Sequence, residues 1–186
     1  MNPHLKAAFE AAGNDNGAEV FFREIAQIPK DIDLATFRHE GNRLVDFAFD
    51  PDILRFLIVD CKSDVKQVVT PEFGWTPLFL LVMASSIRGS RVVIEEGGVD
   101  INHQDSKGDS VLHIAVRREP GRAYALCQML LERGARTDLA NKAGSTPYDE
   151  ARMAGGALEA LFAARVARER LDQAMISQVP RTSGCA

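Results

Sequence analysis

Cysteine is scarce. Cys61, Cys127 and Cys185 are the only three in 186 residues, an odd number with no CxxC pair among them. That excludes a disulfide framework and a cysteine zinc site as the organising device. Cys185, second from the end, is also misplaced for a prenylated C-terminal box. Long apolar runs are missing too: the longest, Leu78 to Ala84, is far short of the ~20 residues that cross a bilayer. The opening MNPHLKAAFEAAG has no basic stretch leading into an apolar core, so it does not read as a signal peptide. Positive charge is in deficit, with 22 Lys and Arg against 26 Asp and Glu. A net charge of −4 supplies no global field to draw in nucleic acid or acidic lipid. The expectation is a reduced, cytoplasmic chain.

Catalytic signatures are equally sparse. His4, His39, His103 and His113 have no metal-ligand spacing with one another or with cysteine. No GxSxG, Walker or GxGxxG pattern occurs. The acidic pairs Glu95-Glu96 and Asp31/Asp33 read as solvated faces, since a working carboxylate pair needs a pocket. Arg117-Arg118 and the RVARER run from 165 to 170 lack interleaved aromatics and read as charged helix faces, not nucleic-acid contacts. No catalytic residue, cofactor or metal is expected.

What is present is repetition. Apolar residues make up 46% and charged residues 26%, ordinary for one globular domain with a real core. GNRLVDFAF, GWTPLFLLV, GDSVLHIAV and GSTPYDEAR start at Gly41, Gly74, Gly108 and Gly144, intervals of 33, 34 and 36 residues. The first three are each followed by a second apolar segment: DILRFLIV, SRVVIEE and ALCQMLLERG. Thr76-Pro77, Ser110 and Thr146-Pro147 are helix-start signals: the hydroxyl caps free N–H groups and proline fits the first helical position. The repeat glycines suit turns with positive φ, and Gly134 suits a left-handed helix end. Ala115 and Ala151 are small where helices must approach closely. Extra residues around Glu119-Pro120-Gly121 read as a loop insertion between two helices.

This pattern resembles the ankyrin repeat, best in LLERGARTDLANKAGSTPYDEA and GGVDINHQDSKGDSVLHIA, and over roughly residues 30–160. The resemblance implies an all-α solenoid of about five helix pairs with β-turn fingers and degenerate caps. One domain over 1–176 is expected: a capping pair at 1–36, repeats at about 37–70, 71–104 and 105–140, and a C-terminal repeat with capping helix at 141–176. Residues 177–186 read as a disordered tail. His113 takes the place of the histidine in the family's TPLH pattern, a structural residue. Its counterparts Asp46, Phe79 and Asp149 differ, which a catalytic role would not explain.

The resemblance further implies a non-enzymatic module that binds a protein partner through finger tips and the concave helix face. The candidate contacts are Glu72, Phe73, Trp75, Ser106, Lys107, Asp109, Lys142 and Ser145 on the fingers. Met83, Ala84, Arg117, Arg118 and Met153 are the candidates in the groove. Trp75, the only tryptophan, is either an exposed hot spot beside Phe73 or folded onto a neighbouring finger or onto Val68 and Val69. Arg117 and Arg118 are either a solvated helix end or contacts for an acidic partner. The function read is an adaptor or an inhibitor. Arginine outnumbers lysine by more than two to one, the usage of a GC-rich genome, and a bacterial immunity protein is one form such an inhibitor takes. The alternatives are a ligand-binding domain or enzyme on the same scaffold, or a structural protein that self-associates through the C-terminal helix. A monomer is expected, with that homodimer as the variant.

Overall fold

Helices begin where the cap residues place them. The computed structural model describes residues 2–14, 17–39 and 41–177. Asn2 accepts the His4 N–H and Pro3 opens α1 (Pro3–Ala12), which packs on α2 (Ala18–Ile25). A two-residue hairpin around Gly41, β1 (Arg38–His39) and β2 (Asn42–Arg43), forms the first finger.

The Gly41 copy departs from the expected helix pair. Its inner helix is a single 310 turn, Leu44–Asp46. The reason is a second start signal only a few residues on. Asp50 caps the N–H groups of Asp52 and Ile53, and Pro51 opens α3 (Pro51–Arg55). A residue before proline is driven out of the helical region, so the first helix cannot run through Asp50. α3 continues as a π-helical turn, Phe56–Asp60, closed by Cys61 N–H to the Phe56 carbonyl at 3.0 Å.

Three full pairs follow: α4 (Pro77–Met83) with α5 (Ile87–Gly97), α6 (Val111–Val116) with α7 (Pro120–Glu132), and α8 (Pro147–Ala154) with α9 (Gly156–Ser177). The inner helices pack in a row, α4 on α6 and α6 on α8, while α3, α5, α7 and α9 form the outer row. The expected loop insertion at Glu119-Pro120-Gly121 is instead the start of α7: Glu119 is its N-cap and Pro120 its first residue. The extra length goes into helix. Ser177, the expected start of the tail, is instead the last residue of α9, and the rest of the tail, from residue 178 on, lies outside the described residues.

The core runs unbroken along the stack. Leu54 and Leu57, Leu78 and Phe79, Leu112, Leu126, Leu130 and Phe162 are all essentially inaccessible. Each such side chain contributes about 1.5–3 kcal/mol on leaving water, and no repeat could bury its own face without a neighbour. Ala115 and Ala151 are fully buried at the inner-row contacts. α9 uses only its first half in this way. Leu158 and Phe162 are buried, with Phe162 stacked 6.5 Å from Tyr148. Leu171 and Met175 further along are 66% and 70% exposed.

Candidate functional site

The position five residues after the repeat glycine is a cap acceptor in three of the four copies. Asp46 accepts the Arg43 backbone N–H, and Asp149 accepts that of Thr146 at 3.1 Å. His113, fully buried, accepts the Ser110 N–H at Nδ1, 3.0 Å away. That bond leaves the ring proton on Nε2, which donates to the Ser145 carbonyl of the next finger at 3.1 Å. One nitrogen caps its own helix and the other joins the next repeat, so His113 is a structural residue. Phe79 fills the same place without an acceptor and meets the His103 ring edge-on. Thr76 sits at the N-cap of α4 but makes no side-chain cap bond, unlike Thr146, whose hydroxyl accepts the Asp149 N–H.

The fingers are tied to each other through their backbones. Ser106 N–H donates to the Phe73 carbonyl at 2.8 Å, and Lys142 N–H to the Lys107 carbonyl at 2.9 Å. Such close approach needs glycine. Gly74 and Gly108 have φ of +72° and +77°, and a Cβ on Gly108 would stand 2.9 Å from the Lys142 nitrogen.

Trp75 points toward the stack, not away from it. Its indole Nε1 donates to Asp105 on the third finger at 3.1 Å, its carbonyl accepts the Val69 N–H, and its ring is half-buried. Phe73 lies over it with centroids 4.7 Å apart and remains 46% exposed. The pair makes a flat apolar plane of which Phe73 is the open half.

Arg117 is not a solvated helix end. It donates to both oxygens of Asp109, at 2.5 and 3.0 Å, and to Glu150 on α8 through Nε at 2.8 Å. Asn141 completes the set with a 2.7 Å bond to Asp109. Burial works to raise the Asp109 pKa, but the bonds from Arg117 and Asn141 outweigh it and hold the carboxyl below its ordinary value. The same bond to Asp109, then that to Glu150, raises the Arg117 pKa. Ligand atoms of Asp109, His113 and Glu150 fall within 4.8 Å of one another. The guanidinium bridges the two carboxylates and both imidazole nitrogens are engaged, so the cluster serves as an ion-pair network. Burial also pushes the Cys127 thiol up to about 12, far from a reactive thiolate.

The structure thus sorts the expected contacts. Asp109 is buried and committed to Arg117, and neither is free to meet a partner. Ser145 is half-buried in its turn and gives its carbonyl to His113. Arg118 lines a separate cleft with Pro120, Tyr124, Gly155 and Gly156, away from the fingers. Met83 is half-buried at the end of α4, with Ala84 exposed beside it, and Met153 is 74% exposed. Glu72, Phe73, Ser106, Lys107 and Lys142 are exposed along the finger row. Ser106, Lys107 and Lys142 line one open hollow of about 520 Å³ between the third and fourth fingers, floored by Asp109, Arg117 and Asn141.

A family model for ankyrin repeats, in three copies, matches residues 45–142. The chain belongs to the ankyrin-repeat family. Ankyrin repeats are in general protein-interaction modules, typically non-enzymatic. Among the described residues no helix is long and apolar enough to cross a membrane.

Proposed function

We propose that this ankyrin-repeat chain is a cytoplasmic adaptor or inhibitor that occupies one protein partner along its finger row. Residues 1–176 act as one domain in this reading, with the repeat limits set out above. An immunity protein that blocks a toxin or enzyme of its own bacterial cell is the specific form of inhibitor in this reading. The observation that carries the proposal is the Phe73–Trp75 plane: an exposed aromatic on a rigid support, beside polar tips that are themselves fixed by backbone bonds. Such an anchor loses little entropy on binding.

Affinity capture from the native lysate, followed by titration of the captured protein, tests this. Phe73→Ala is expected to leave the melting temperature unchanged and weaken binding by about 2 kcal/mol. Trp75→Ala is expected to lower stability as well, since it removes the Asp105 bond and packing on the third finger. Equal retention of the captured protein by wild type and Phe73→Ala would remove the finger row as the site.

One observation favours a second reading. Leu171 and Met175 lie four residues apart on an exposed face of α9. A homodimer through that helix would cover them. Sedimentation over a wide concentration range decides it: a mass that rises with concentration and is restored to monomer by Leu171→Glu supports the dimer, and a constant monomer mass rejects it.

A further inference from the structure

We propose that the hollow between the third and fourth fingers takes carboxylate groups from an acidic segment of the protein partner, while the Phe73–Trp75 plane beside it takes a flat apolar side chain of the same segment. This rests on the finger row being the binding face. The chain is acidic overall, yet the side chains around the hollow carry three cations, Lys107, Lys142 and Arg117, against one carboxylate, Asp109. That carboxylate is spent. Its Oδ1 accepts from Arg117 and Asn141 and its Oδ2 from Arg117, so it offers an incoming anion little repulsion. The guanidinium in turn faces Asp109 and Glu150. What remains is two exposed ammonium groups on consecutive finger tips, neither with an ion-pair partner among the described residues, and the Ser106 hydroxyl between them and the aromatic plane.

Continuity with the plane comes from the backbone. Ser106 N–H donates to the Phe73 carbonyl, so the hollow and the Phe73 ring belong to neighbouring fingers of one row. A segment laid across the fingers meets the aromatic pair at one end and the lysines at the other. Positive potential in a shallow cleft of a negatively charged molecule selects its ligand by charge and speeds its arrival, and both effects fall with salt.

The test uses the full chain and three probes: the acetylated, amidated peptides Glu-Glu-Phe-Glu-Glu, Gln-Gln-Phe-Gln-Gln and Glu-Glu-Gly-Glu-Glu. Trp75, the single tryptophan, reports on the plane by fluorescence, and the Lys107 and Lys142 amides report on the hollow by NMR. The expected result is that the acidic phenylalanine peptide shifts all three signals. The neutral and the glycine peptides should each bind at least about tenfold more weakly, and Lys107→Glu/Lys142→Glu should abolish the shifts at an unchanged melting temperature. Equal binding of the neutral peptide, undiminished binding by the double variant, or shifts confined to other residues would overturn the proposal. The captured partner separates the two levels. If the double variant retains it while Phe73→Ala loses it, the acidic segment is wrong and the finger row stands. If both variants retain it, both readings fail.

Discussion

His113→Ala is expected to destabilise the protein by about 3–4 kcal/mol. The substitution leaves a cavity in a fully buried site and strips the Ser110 N–H of its acceptor, and Ser110 is itself only 1% exposed. The Ser145 carbonyl is less affected, because it still accepts the Asn141 N–H. For a chain of this length the loss corresponds to a fall in melting temperature of roughly 10 °C. His113→Phe separates the two contributions. The preceding repeat holds Phe79 in this position, so the ring fits the pattern while the cap bond is lost. About half the destabilisation should remain, read by calorimetry on both variants. A histidine that worked as a general base would show the opposite: stable variants and a lost activity.

Arg117→Ala should cost about 2–3 kcal/mol at neutral pH. Removing one member of a buried pair costs roughly 3–5 kcal/mol. The figure is discounted because the Arg117 side chain is 43% exposed, whereas that of Asp109 is 5% exposed. The pH dependence is diagnostic. In the wild type the Asp109 pKa lies below its ordinary 3.8, so its contribution is full above that pH and fades as pH falls through the lower folded value. In the variant the guanidinium is gone and the Asn141 bond is left to offset burial, so the folded pKa rises from its wild-type position. Protonation of Asp109 then costs the variant less stability than the wild type as pH falls. The gap between the two proteins should therefore be widest near neutrality and shrink on acidification. Urea midpoints from pH 7 down to about pH 4 measure it, and a gap that is flat with pH would show that Asp109 is not held by Arg117.

Local signals were legible in the residues and long-range ones were not. Thr76-Pro77, Ser110 and Thr146-Pro147 announce helix starts within three or four positions, and the helices begin there. The identity of His113 as a joint between repeats follows from its place in the repeating pattern. The failure of the first inner helix was also written locally, in Asp50-Pro51, but the pattern of the later copies overrode it. The Arg117 network gave no local hint, because Asp109 comes from the finger turn eight residues earlier and Asn141 and Glu150 approach only once the next repeat has stacked. Trp75 was undecided for the same reason: its partner Asp105 lies one whole repeat further on. Candidate contacts chosen by position alone therefore mixed free tips, such as Phe73 and Lys107, with residues committed to holding the stack.

The amide-to-carbonyl ties between successive fingers have a consequence for recognition. Those ties set the spacing of the Phe73, Lys107 and Lys142 backbones, so the protein offers a ruler of regular pitch, where a flexible loop would offer a sleeve. A rival whose charges and ring are spaced differently must leave one mark unread, and discrimination then comes from pitch as much as from chemistry.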